Sequence, residues 1–269
     1  MSATLATFPA APSSRLGVMN LLFRRHFSPF KTYIRRDLGL AVLLNPKVGS
    51  TAFRKILVEG LKQAGQSPVL GRFWPLKLER RYLTAPLSHY FDALLHPNRY
   101  QFYCFVRNPY SRLLSSWKDK VAPGQAENFP KGVKHLIPEL RRFARQHSLP
   151  GSEPASEIPF ATFIAYIRSQ PEGTRNHHWD TQRSVLFTDT IRYERIFRME
   201  TEFTSGMTEI LTRLGLPKAW TEEKLKAPHN PSRKLSQPVY TKQLAAEVQA
   251  IYSSDFQQFN YDLDSWQGM

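Results

Sequence analysis

The stretch Gly39–Lys55, GLAVLLNPKVGSTAFRK, limits what this chain can fold into more than any other segment. Its apolar run, Leu40 to Leu44, has the composition of a strand buried on both faces of a parallel sheet. The run passes directly into Pro46-Lys47-Val48-Gly49-Ser50-Thr51, after which a helical period sets Phe53, Ile56, Leu57 and Leu61 on one face. α/β proteins build anion cradles from a strand, a tight loop and a helix. The first N–H groups of the helix are unpaired and its dipole is positive at that end. Gly49 lets backbone come close, and Ser50 and Thr51 bring hydroxyls that also cap the helix. Val48 and Ala52 add loop amides, and Lys47 adds a point charge. The order differs from a nucleoside-triphosphatase loop, in which Lys follows the last Gly; here Lys47 precedes Gly49 and follows Pro46. The loop therefore suits a phosphate without matching an ATP or GTP site. Taken alone, an ordinary capped strand-to-helix turn is the alternative.

A second unit of the same kind weakens that alternative. Tyr100–Val106 (YQFYCFV) is an apolar strand, followed by Arg107-Asn108-Pro109-Tyr110-Ser111-Arg112 and a helix with Leu114, Trp117 and Val121 on one side. Arg107 falls at the carboxyl end of its strand, where open α/β sheets bind ligands. Its guanidinium suits bidentate phosphate recognition, and Ser115 lies far enough into the helix to turn its hydroxyl to the same anion.

In these two motifs the chain resembles sulfotransferases that use 3′-phosphoadenosine-5′-phosphosulfate (PAPS). PKVGSTAFRK is similar to their 5′-phosphosulfate loop. CFVRNPYSRLLSSWKDK is similar to their 3′-phosphate motif, an Arg followed eight residues later by a Ser, here Arg107 and Ser115. FATFIAYI, HHWDTQ (His177–Gln182), YERIFRME (Tyr193–Glu200) and the segment Ile251–Tyr261 resemble the carbohydrate branch, which includes chondroitin and dermatan types. The resemblance spans about Gly39 to Tyr261, with one departure: members of that branch often carry Cys where this chain has Ser50. It implies an α/β fold with a central parallel sheet flanked by helices, a P-loop-like sulfotransferase fold. It also implies PAPS as donor and a carbohydrate acceptor, with a small-molecule or lipid acceptor, or a non-catalytic phosphonucleotide-binding role, as the other readings.

The formal charge of +15, from 37 Lys and Arg against 22 Asp and Glu, points to anionic partners. PAPS and an acidic glycan both qualify. No zinc-finger, basic-zipper or RNP-type motif accompanies the charge, so nucleic acid is not expected. The single cysteine, Cys104, lies in a predicted buried strand and cannot form an intrachain disulfide, which favours a reducing compartment. The Golgi enzymes of the family carry an N-terminal anchor and commonly disulfides. The early apolar run here, Leu16–Phe23, is interrupted by Asn20 and too short to span a bilayer. A soluble cytoplasmic protein is the expectation. Arg15, Arg24, Arg25, Lys31, Arg35 and Arg36, with no acid over residues 1–36, resemble an organelle transit segment as the alternative.

Residues 1–38 read as a basic leader and residues 39–265 as the sulfotransferase domain. Two Pro-rich excursions, 66–99 and 122–159, have the character of binding loops. A helix is expected within Glu139–His147, another at Phe160 to Ile167, and strands at Val185–Phe187 and Arg192–Phe197. Helices are expected again at Met207–Leu214 and Val239–Asp255.

Sulfuryl transfer needs a cation at the leaving oxygen and a base at the acceptor. Lys47 meets the first need. For the second, His89 is the first candidate because it lies between the two cofactor motifs, where the family keeps a catalytic His. His178 in HHWDTQ is the second; His96, His135, His147 and Glu79 are weaker ones. Arg233 and Lys234, in the basic loop before the last helix, are candidate contacts to the 3′-phosphate. Arg112 is expected to pair with Asp119 or a nearby Glu. A sulfuryl group carries less charge than a phosphoryl group and no acidic pair follows either strand, so metal-independent chemistry is expected.

Overall fold

A computed structural model describes residues 32–63, 65, 86–122, 135–226, 239–267 and 269. In chain order the elements are β1 (Thr32–Arg35), β2 (Leu40–Leu43), α1 (Ser50–Gln63), α2 (Leu87–Leu95), β3 (Gln101–Val106), α3 (Pro109–Lys120), α4 (Leu136–Gln146), α5 (Phe160–Arg168), α6 (Gln182–Leu186), β4 (Arg195–Arg198), α7 (Met199–Arg213), α8 (Lys218–Leu225), α9 (Lys242–Ile251) and α10 (Ser253–Gln258). They fall into two compact units, the first holding 49–106 and 183–226 with the strands before Asn45, the second holding 46–48, 107–182 and the C-terminal helices.

The first unit is built on a four-stranded sheet of order β1-β2-β3-β4. β2, β3 and β4 are parallel, with Leu40 opposite Gln101 and Cys104 opposite Ile196. All four residues of β2 are buried, which is why the strand reads as a continuous apolar run. Because β2 and β3 run the same way, their carboxyl ends share one edge of the sheet. There Asn45 Nδ2 donates to Phe105 O at 3.2 Å. α1 buries Ala52, Phe53, Ile56, Leu57 and Leu61, matching the helical period of the sequence. Phe197 of β4 stacks on Tyr103 with ring centroids 6.1 Å apart and lies 5.2 Å from Phe105.

The second unit is helical. α3, α4, α5, α9 and α10 surround a core that includes Leu113, Leu140, Phe163, Ile164, Val248, Tyr252 and Phe256. Tyr240 ties α3 into it by donating its hydroxyl to Tyr110 O at 2.8 Å.

The expected central parallel sheet is present as β2, β3 and β4, and β1, from within residues 1–38, adds an antiparallel edge beside β2. Thr32–Arg35 is too short and too close to basic residues to announce a strand, and it becomes one because Tyr33 and Ile34 are buried against the sheet. Val185–Phe187 is not a strand but the end of helix α6 and its turn, with Phe187 at φ +54°. A three-residue apolar run has no period that separates helix from strand. β4 starts at Arg195 rather than Arg192, and the last helix is broken at Tyr252 into α9 and α10.

Candidate active site

Lys47 and Arg107 meet in the second unit. Lys47 has a backbone φ of +69°, a left-handed conformation uncommon for any residue but Gly. That turn presents its carbonyl oxygen to Arg107, whose Nη1 donates to it at 3.0 Å. Arg107 Nε donates to Ser111 Oγ at 2.9 Å, one helical turn before Ser115, so Ser111 and the half-buried Ser115 share a face of α3. The Arg107 backbone is clamped on both sides by one amide. Its N–H donates to Gln182 Oε1 at 2.9 Å, and Gln182 Nε2 donates to its carbonyl at 2.8 Å. Asn108 caps α3 by accepting from Tyr110 N, with Pro109 at the first helical position.

Arg112 does not pair with Asp119. It is 2 % exposed and donates to three carbonyl oxygens: Pro46 at 3.2 Å, Asp180 at 2.6 Å and His177 at 3.0 Å. A planar fork of five donors suits this task, fastening the loop before Lys47 to the 177–180 segment. Ser116 Oγ lies 2.6 Å from His178 O and reinforces the same junction. Asp119 instead pairs with Lys47, Nζ to Oδ2 at 2.6 Å, and the same oxygen lies 3.0 Å from Lys120 Nζ. Burial pushes the Lys47 ammonium below its ordinary value, and the Asp119 carboxylate opposes that shift. Burial alone would raise Asp119, but the contacts with Lys47 and Lys120 hold it below the usual carboxylate range.

His178 lies beside these cations. Asn176 Oδ1 accepts from the His178 backbone N–H at 3.1 Å and lies 2.8 Å from ring Nδ1. The oxygen of Asn176 can only accept, so Nδ1 carries the proton and Nε2 keeps a lone pair. Burial, followed by the charges of His177, Lys120, Lys47 and Arg112, lowers this imidazole to about 2.

The remaining sequence candidates separate clearly. Val48 and Ala52 are buried, while Ser50 and Thr51 open α1. Gly49, at φ +76°, accepts Phe53 N–H at 3.0 Å; a Cβ there would stand 2.7 Å from Phe203 Cε2. Arg54 Nε donates back to Ser50 O at 3.1 Å, holding the first turn. His89 belongs to α2 of the first unit, half-buried, with its Nδ1 buried and lacking a hydrogen-bond partner among the described residues. Arg233 and Lys234 lie outside the described residues. Sequence reasoning missed the Asp119 contact to Lys47 and the two-sided Gln182 clamp. Ser111, four residues after Arg107, could have been found from helical spacing.

A model of the sulfotransferase family matches residues 32–262, and that span includes both strand–loop–helix motifs and the HHWDTQ segment. The chain belongs to the sulfotransferase family. It is 26% identical over 200 residues to carbohydrate sulfotransferase 11 of Rattus norvegicus, covering 71% of this chain and 53% of that protein. It is 28% identical over 205 residues to carbohydrate sulfotransferase 11 of Mus musculus, with the same coverage of 71% and 53%. To carbohydrate sulfotransferase 9 of Homo sapiens it is 28% identical over 173 residues, covering 61% of this chain and 38% of that protein. The chain spans about half the length of the carbohydrate sulfotransferase 11 relatives. No solved structure matches it.

For this sulfotransferase-family chain the expected cytoplasmic placement is overturned. The relatives it matches are carbohydrate sulfotransferases, which are Golgi membrane enzymes and not cytoplasmic ones. The inference failed because Cys104 is wholly buried packing whose thiol burial pushes well up, and such a residue reports nothing about redox compartment. Among the described residues no helix is long and apolar enough to cross a membrane.

Proposed function

We propose that residues 39–265 form a domain that transfers the sulfuryl group of PAPS to a hydroxyl of a carbohydrate. The observation that carries this reading is the 3.0 Å contact of Arg107 with Lys47 O, which joins the two anion motifs of the sequence. The surrounding charge fits a nucleotide with phosphates at both ends. Lys47, Lys120 and Arg107 all lie in the second unit with Asp119, and burial first, then the charges of Lys120 and Arg107, push the Lys47 ammonium down against the pull of Asp119.

Each residue then has a task. Lys47 stabilises charge growing on the 5′-phosphate oxygen as its bond to sulfur breaks and a bond from the acceptor oxygen to sulfur forms. The amides from Val48 to Ala52 hold the 5′-phosphate, with Ser50 and Thr51 contributing hydroxyls. Arg107, aligned by Ser111 and Gln182, grips the 3′-phosphate with Ser115, and Arg233 and Lys234 add contacts to that group. His89 takes the proton lost by the acceptor hydroxyl. Two things favour it over His178: its position between the motifs, and an Nδ1 that no described protein group engages. His178 is a weak base at about 2 among its cations, and its Nε2 lone pair suits accepting a hydrogen bond from the acceptor.

The test is turnover of labelled PAPS against a panel of glycans and hydroxylated metabolites, repeated with Lys47→Ala and His89→Ala. The reading expects product with a glycan, loss of turnover in both variants, and nucleotide binding kept in His89→Ala. Binding of the nucleotide without turnover on any acceptor would make the chain a non-catalytic binder. Full activity in His89→Ala would move the base elsewhere.

A further inference from the structure

The Asp119 carboxylate has no task in that chemistry, yet it makes the shortest charged contact of Lys47. It occupies the last turn of α3, where the helix dipole disfavours negative charge, and it is flanked by Lys118 and Lys120. The helix dipole therefore gives no reason for an acid here, and the adjacent Lys120 is only one of its two partners. Its Oδ2 lies 2.6 Å from Lys47 Nζ and 3.0 Å from Lys120 Nζ. The Lys47 side chain is 14% accessible and that of Asp119 47%, so the carboxylate reaches the ammonium from the solvent side. A phosphosulfate approaching Lys47 is a second anion competing for the same charge, and two anions at one ammonium repel each other.

We propose that Asp119 is a positioning residue for Lys47, an internal counter-ion that holds the ammonium before the nucleotide arrives, yields it to the phosphosulfate, and recaptures it as the spent nucleotide leaves. This rests on the PAPS reading above. Three consequences follow from the exchange. Lys47 is pre-aimed at the end of its strained turn rather than free to wander. Nucleotide affinity is weaker than the cation cluster alone would give. Product release is faster, because the departing phosphate is replaced at Lys47 by a carboxylate already in reach.

The experiment titrates 3′-phosphoadenosine 5′-phosphate calorimetrically into the full chain as wild type, Asp119→Asn, Asp119→Glu, Lys47→Met, and the Lys47→Met/Asp119→Asn double variant. Asp119→Asn should bind the nucleotide about three- to tenfold tighter, the size of one lost charge contact. Asp119→Glu should stay within about twofold of wild type, because the counter-ion is restored. In the Lys47→Met background the gain from Asp119→Asn should shrink to about twofold or less, since the residue acts through Lys47. In turnover with labelled PAPS, KM and kcat of Asp119→Asn should fall together. Unchanged or weaker binding in Asp119→Asn, or an equal gain without Lys47, overturns the proposal while leaving the PAPS reading intact. A wild-type chain that does not bind this nucleotide overturns both.

Discussion

The carbonyl oxygen of Lys47 accepts a hydrogen bond from Arg107 Nη1 at 3.0 Å, although 60 positions separate the two in sequence. The contact uses one edge of the Arg107 guanidinium and Ser111 uses its Nε, so the side chain is held in one orientation before any ligand arrives. Preorganisation of that kind lowers the entropy lost on binding.

Arg107→Ala should therefore lose affinity selectively. Charge-assisted hydrogen bonds are worth about 1.5–3 kcal/mol, so binding of 3′-phosphoadenosine 5′-phosphate should weaken about 10- to 150-fold. Binding of adenosine 5′-phosphate, which lacks the 3′-phosphate, should change by less than about threefold. Parallel titrations of both nucleotides check this, and equal losses would remove the assigned role.

Lys47→Met should act on rate more than on binding. In the proposed reaction the ammonium meets charge that develops only as the sulfur–oxygen bond breaks, so kcat should fall by about 10²–10³-fold. The PAPS dissociation constant should rise by no more than about tenfold. Steady-state turnover beside equilibrium titration separates the two, and a large KM effect at unchanged kcat would contradict the role.

The chain should lose stability in acid through His178. The unfolded imidazole binds its proton near 6.5, and the folded one only near 2, because burial and the facing charges of His177, Lys120, Lys47 and Arg112 oppose it. Between those values the unfolded state holds the extra proton, so stability rises with pH and is lost as pH falls below about 6.5, at up to about 1.4 kcal/mol per unit. His178→Gln should flatten that limb by one proton. Urea midpoints at pH 7, 6, 5 and 4 read the difference, and parallel curves would discount His178.

Gly49→Ala should destabilise the fold by about 1–3 kcal/mol. The backbone at φ +76° is strained for any Cβ, and the added atom would stand 2.7 Å from Phe203 Cε2. Phe203 has little room to yield, since its ring lies 5.5 Å from Phe105. Denaturant unfolding checks this; an unchanged midpoint would mean the loop relaxes freely.

Much of this arrangement is legible in the residues. Leu40–Leu43, Gln101–Val106 and the helices after them announce themselves because burial on two faces, or on one helical stripe, dictates composition directly. Lys47, Arg107 and Ser115 stand out because a strand end followed by a helix start is a local construction. β1 is not legible, because four residues among basic neighbours become a strand only once β2 offers an edge. Nor is the fate of Arg112 and Asp119, which lie seven residues apart on one helix. Both look like surface charges there, yet one is buried on three carbonyls and the other closes an ion pair.

By itself, the sequence determined the strand–loop–helix units and the basic and hydroxyl side chains at their turns, since each depends on neighbours a few positions away. Only the tertiary structure decided who partners whom: Arg107 with the Lys47 carbonyl, Asp119 with the Lys47 ammonium, Gln182 with the Arg107 backbone. Those contacts join positions tens of residues apart. Distances of about 3 Å between such groups are set by how helices and strands pack, which no local pattern encodes.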